Sequence, residues 1–147
     1  LSILHDSIDL YENRFIDKGL ELTLDIPDNL SLKLLGDPDR IHQLYSNLIS
    51  NSLRYTNSPG RLEVSAEHYK NSLNLSFKDS APGVAAEHLP KLFDRLYQAD
   101  SSRNRARKGA GLGLAICKNI VDAHQGTITV ENSPYGGLEF SVVFPLS

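Results

Sequence analysis

Lys108-Gly109-Ala110-Gly111-Leu112-Gly113-Leu114 sets three glycines at alternate positions, between a basic run and an amphipathic helical pattern over residues 114–124. Glycine, lacking a Cβ, lets backbone approach a ligand closely and visit positive φ. The helix that follows offers unpaired N–H donors and the positive end of its dipole. Together these suit an anion, and the phosphate chain of a nucleotide fits best. A glycine-rich turn before a helix is also often only a turn. The surrounding chain decides between the two.

Downstream, Gly126 ends that helix, and residues 127–131 and 138–144 form a hairpin around Ser133-Pro134-Tyr135-Gly136-Gly137. Upstream lies a polar tract over 98–108 with Arg103, Arg105, Arg107 and Lys108. It closes a turn-rich region from Ser80 to Gly111 that holds Pro82, Gly83, Pro90 and a short helical patch over 89–97. A long irregular stretch inside a compact domain is usually functional. Residues 61–69 and 72–79 alternate across Lys70-Asn71, which predicts an antiparallel hairpin. Asp37-Pro38 supplies an N-cap and a first-turn proline for a long helix reaching about Tyr55.

At the start, residues 1–18 carry a helical apolar stripe closed by Gly19. Residues 20–26 alternate as a strand, and residues 30–35 suit a second strand paired with it. The expected architecture is an α/β two-layer sandwich. Its mixed, largely antiparallel sheet has about five strands, with three main helices on one face.

Composition narrows the function. A chain of 147 residues is sized for one domain, 1–147, and 40% hydrophobic with 22% charged residues suits a soluble globular protein. A formal net charge of −3 argues against nucleic acid as a partner. One cysteine excludes an internal disulfide and a cysteine-only metal cage. No apolar run approaches the ~20 residues of a membrane span. With no Met and a start inside a helical pattern, the chain is expected to be part of something longer. The five histidines show no metal spacing, and neither a Walker pattern nor a G-x-S-x-G elbow occurs.

The helix over 39–55 has two faces. Ile41, Leu44, Tyr45, Leu48, Ile49 and Ser52 form its inward stripe, while Arg40, Gln43, Asn47, Asn51 and Arg54 share a sector of roughly 80°. A merely solvated face would be richer in Glu and Lys. Asparagine offers a carbonyl oxygen to a hard cation and an amide donor to a phosphate. Asp79 stands at a strand end before Ser80-Ala81-Pro82-Gly83-Val84, where a carboxylate can accept from an exocyclic amine or simply make a local Asx turn.

Four blocks in order resemble the ATP-binding catalytic domain of two-component sensor histidine kinases, which has the Bergerat fold. Asn47-Leu48-Ile49-Ser50-Asn51-Ser52-Leu53-Arg54-Tyr55-Thr56 is similar to its N box, and Asp79 to Gly83 to its first glycine box. Leu92-Phe93-Asp94-Arg95-Leu96-Tyr97 resembles the F box, and Gly109 to Leu114 the second glycine box.

The resemblance implies ATP and Mg²⁺ as cofactors, with the carbonyl oxygens of Asn47 and Asn51 on the metal. It places Arg54 against phosphate and Tyr55 beside adenine. Asp79 would read the adenine amino group, with Gly83 and Val84 in the loop beside it. Phe93 would anchor a lid over 98–111, and Lys108, Gly109, Gly111, Leu112, Gly113 and Leu114 would wrap the phosphates. Arg103 or Arg105 would meet the γ-phosphate, because Gln98 stands where many members carry Arg. Ala81 replaces the first glycine of D-x-G-x-G, and Leu138 replaces a common Thr or Ser, so one polar contact near adenine is expected to be missing.

Hydrolysing relatives of this fold resemble one another in having Glu at the place of Asn47. An amide cannot act as a general base, so phosphoryl transfer with slow hydrolysis is expected. The implied acceptor is a histidine on a separate dimerisation domain, which passes phosphate to a response regulator. His5-Asp6-Ser7-Ile8-Asp9-Leu10 lacks the acceptor pattern, so the chain is not expected to phosphorylate itself. The whole protein is expected to be a homodimer in a bacterial inner membrane, with this segment in the cytoplasm and clear of the lipid. A nucleotide-binding regulatory module without catalysis and an anti-sigma-type serine kinase are the alternatives.

Overall fold

The computed structural model describes residues 2–26, 37–80 and 108–145. In chain order these form α1 (Ser2–Lys18), β1 (Leu20–Asp25), α2 (Pro38–Tyr55), β2 (Gly60–Tyr69), β3 (Ser72–Ser80), α3 (Lys108–Ala123), β4 (Thr127–Asn132) and β5 (Gly136–Pro145). The expected strand over 30–35, the helical patch over 89–97 and the tract over 98–107 lie outside the described residues.

The five strands make one sheet in the order β1-β2-β3-β5-β4. All neighbours are antiparallel except β1 and β2, which run parallel with Leu20 opposite Gly60. The described neighbour of β1 is thus β2, and the expected pairing of residues 20–26 with 30–35 lies outside the described residues. Parallel neighbours need a long crossover, and the segment containing α2 supplies it. The fold class stands as expected: a mixed, mainly antiparallel sheet with three helices.

Helix α2 starts as its sequence dictates. Asp37 is the N-cap, its Oδ1 accepting from the Asp39 N–H at 3.0 Å, and Pro38 opens the first turn. The N–H of Thr56 closes the other end on the Ser52 carbonyl at 2.9 Å. The stripe Ile41, Leu44, Tyr45, Leu48 and Ile49 is buried against the period-2 faces of the strands, among them Leu62, Val64, Leu75, Phe77, Phe140 and Val142. Each side chain so enclosed contributes about 1.5–3 kcal/mol. The opposite sheet face is polar: the Tyr135 hydroxyl donates to Glu63 Oε2 at 2.7 Å, and Arg61 lies 3.6 Å over the Tyr135 ring. Among the described residues no helix is long and apolar enough to cross a membrane.

Helix α3 begins at Lys108, six residues before the start expected from the glycine run. Glycine costs only about 1 kcal/mol per residue relative to alanine in a helix, a preference that tertiary packing overrides. The buried stripe Leu114, Cys117, Ile120 and Val121 supplies that packing.

Burial pushes the Cys117 thiol from 9.0 up to about 12 and raises the Tyr45 phenol as well. Both groups hold their protons more tightly in the folded chain than in the unfolded one. Their contribution to stability is complete below the unfolded pKa values and is lost as pH rises through the folded ones. The thermal midpoint is therefore expected to stay level up to about pH 9 and to fall beyond it. As the chain's only cysteine, Cys117 also provides a second readout. At pH 8 a thiol reagent is expected to label it only as fast as the protein opens. Immediate labelling would contradict the enclosure.

Candidate functional site

At the ends of the polar sector of α2, Arg40 and Arg54 are exposed. Its middle turns toward the start of α3, where Asn47 Nδ2 donates to the Gly113 carbonyl at 3.5 Å. Between the two helices lies a pocket of about 170 Å³, lined by Asn47, Ser50, Asn51, Arg54, Tyr55, Gly113 and Leu114. Six of those seven are residues that the sequence singled out. Small-molecule sites usually measure ~300 Å³ or more, so the described residues build part of a site rather than all of one.

Asn51 is the informative member. It is 9% exposed, and its Oδ1 is buried without a hydrogen-bond partner. A buried acceptor left unpaired costs about 1–3 kcal/mol, so native structures keep such atoms for a reason. Asn51 lines the polar pocket, and an amide carbonyl oxygen is a hard-cation ligand. Among the described residues no group of three or more His, Cys, Asp or Glu could hold a metal. The donor set on offer is amide oxygen.

Asp79 lies near the end of β3 and is 5% exposed. Its Oδ2 accepts from the Ser52 hydroxyl at 2.8 Å, and its Oδ1 from the Leu138 N–H at 2.7 Å. The Ser133 hydroxyl holds its backbone carbonyl at 2.7 Å. Asp79 is not a wall of the pocket, but Ser52 ties it to Asn51 next door. Leu138 thus holds Asp79 through its backbone N–H, a donor that does not depend on the side chain. Gly137 makes this possible: a Cβ there would collide with the Asp79 carboxylate and the Ser80 carbonyl.

The early start of α3 changes what the glycines offer. A helix leaves its first four N–H groups unpaired, here those of residues 108–111. Gly109 and Gly111 fall on that first turn, whereas Gly113 lies beyond it and offers space, since a Cβ there would meet nothing within 4 Å. The run is the head of a helix and not a loop before one. Lys108 and Leu112 lie on the same turns. Gly83, Val84, Phe93, Arg103 and Arg105 fall outside the described residues, as do Ala81 and Gln98.

His124, just past the end of α3, bonds the Ile120 carbonyl through Nδ1 at 2.8 Å and accepts the Asp37 N–H at Nε2 at 3.2 Å, which ties the end of α3 to the start of α2.

Sequence reasoning missed Ser52, Ser133 and Gly137 as supports of Asp79. Ser52 left a signal, being the one small polar residue in an apolar helix stripe. Ser133 and Gly137 read only as turn residues.

The model of the histidine kinase-, DNA gyrase B- and HSP90-like ATPase family matches residues 36–147. The signal transduction histidine-protein kinase BaeS of Escherichia coli (strain K12) is 50% identical over 136 residues, 92% of this chain and 29% of its own length. The chain therefore spans less than a third of that relative. The solved catalytic domain of the histidine kinase ThkA superposes with a TM-score of 0.85 at 27% identity, covering 99% of this chain and 92% of its own. Full-length ShkA in complex with AMPPNP gives 0.84 at 27% identity, covering 99% of this chain and 30% of its own. With that family model matching residues 36–147, most of the chain, this chain belongs to the histidine kinase-, DNA gyrase B- and HSP90-like ATPase family.

Proposed function

We propose that this chain binds Mg·ATP and directs the γ-phosphoryl group to a histidine on a separate dimerisation domain. The observation that carries the reading is the buried, unpartnered Oδ1 of Asn51 in a pocket shared with Asn47 and Arg54. Asn51, joined by the Asn47 amide, would hold the Mg²⁺, which when bound screens the phosphate charge. Arg54 would contact phosphate and Tyr55 flank the base, while the buried Asp79 accepts from the adenine amino group. Lys108, Gly109 and Gly111 lie on the α3 turn whose open N–H groups and dipole favour phosphate.

Position 47 favours transfer over hydrolysis. An asparagine cannot take a proton from water, whereas a histidine acceptor brings its own nucleophilic ring. The site then has only to position ATP and stabilise charge. Gly83, Val84, Phe93, Arg103 and Arg105 remain the proposed loop and lid contacts. In the whole protein this segment would lie on the cytoplasmic side of an inner-membrane homodimer and serve a response regulator.

The test has two steps. ATP binding to the purified chain is measured with and without Mg²⁺, and the chain is then mixed with a separately supplied dimerisation domain. Mg²⁺-dependent binding and acid-labile phosphate on the added domain are expected, with none on this chain. Binding without transfer would favour a regulatory module. Acid-stable phosphate on serine would favour a serine kinase.

A further inference from the structure

Lys18, the last residue of α1, is exposed but does not point away from the fold. Its Nζ donates to the Leu53 carbonyl at 2.5 Å and to the Arg54 carbonyl at 3.1 Å. Both carbonyls belong to the last turn of α2, where a helix leaves its acceptors unpaired. A cation there also complements the negative end of the dipole.

The next residue adds a second tie. Gly19 has φ +78°, closes α1 with its N–H on the Ile16 carbonyl at 3.0 Å, and accepts the Ser58 hydroxyl at 3.3 Å. A Cβ at Gly19 would lie 2.5 Å from that hydroxyl oxygen, so backbone and serine meet only because glycine is there. The junction of α1 with β1 is thereby fastened to the chain on both sides of Tyr55 and Thr56. Arg54 and Tyr55 line the pocket, and Thr56 is buried.

We infer that Lys18 is a positioning residue for the nucleotide pocket: it latches the end of α1 to the turn of α2 that aims Arg54 and Tyr55. The inference rests on the nucleotide reading of that pocket. The latch is short-ranged. A slide of α1 by one residue's rise, ~1.5 Å, would take Nζ out of hydrogen-bond reach of at least one carbonyl. Displacement of α1 is therefore transmitted to the pocket wall without any contact between α1 and nucleotide.

Lys18→Ala and Lys18→Arg test this by calorimetric ATP affinity and by amide hydrogen exchange in the absence of nucleotide. Lys18→Ala is expected to weaken ATP about three- to tenfold and to speed exchange at residues 54–56 by a similar factor. Exchange at residues 44–48 and the thermal midpoint should barely move. Lys18→Arg, which still offers two donors, should restore both readouts. Unchanged affinity in Lys18→Ala would overturn the positioning role, even if exchange accelerates. Should the unaltered chain fail to bind ATP, the nucleotide reading falls, and unchanged exchange in Lys18→Ala would then overturn the latch by itself.

Discussion

Asp79→Asn is expected to weaken ATP binding about a hundredfold while the protein stays folded. Each carboxylate oxygen of Asp79 already accepts one bond, from the Leu138 N–H and from the Ser52 hydroxyl. An ionised carboxylate has about four lone-pair sites, so acceptor capacity remains for an exocyclic amine. The amide variant can keep the Leu138 bond through its oxygen, and the Ser52 hydroxyl can rotate to accept from the new amide nitrogen. The scaffold survives. What changes is the face offered to the base, where a donor now confronts a donor. A site built to hydrogen-bond a group discriminates strongly once that bond is lost. Calorimetry with ATP, set beside a purine nucleotide carrying a carbonyl in place of the amine, reads both parts. ATP affinity within threefold of the unaltered chain would show that Asp79 does not read the base.

Gly137→Ala is expected to cost about 3 kcal/mol of stability and to lower the thermal midpoint by about 10 °C. The added methyl would overlap Asp79 Oδ1 and the Ser80 carbonyl oxygen and lie 2.6 Å from the Asp79 carbonyl oxygen. Two of those three neighbours are backbone inside the paired β3–β5 ladder and cannot step aside. The third is the carboxylate, and moving it breaks the Leu138 N–H bond and unsettles the Ser52 contact. Overpacking and a disrupted buried hydrogen-bond network act together. ATP affinity of the variant should fall with stability, because the same displaced carboxylate is the proposed base reader. A midpoint within about 2 °C of the unaltered chain would mean that β3 and β5 can separate locally at little cost.

The pocket itself was half legible. Asn47, Asn51, Arg54 and Tyr55 sit four, three and one residues apart, and helical periodicity alone aims them to one side. Helix α2 was legible to its caps because Asp37, Pro38 and the apolar stripe are local signals. The partner of β1 was not, since pairing with β2 or with residues 30–35 satisfies the same alternation. The start of α3 was misread because glycine's weak helix propensity was weighed without the packing of Leu114 and Cys117 that overrides it.

By itself, the order of residues determined which elements form, which faces are apolar and which polar groups lie on one helix turn, because these depend on periodicities of two and 3.6. The glycine run before Leu114 belongs to that class only in part: its composition announced an anion site, but its backbone state did not follow. Tertiary structure alone decided the surroundings of Asp79, whose partners Ser52, Ser133 and Leu138 lie 27, 54 and 59 residues away. It also decided the latch from Lys18 to Leu53 and Arg54, 35 and 36 residues on. Such contacts are enforced by packing between distant segments, and no local pattern encodes a hydrogen bond whose two ends meet only when the sheet closes against its helices.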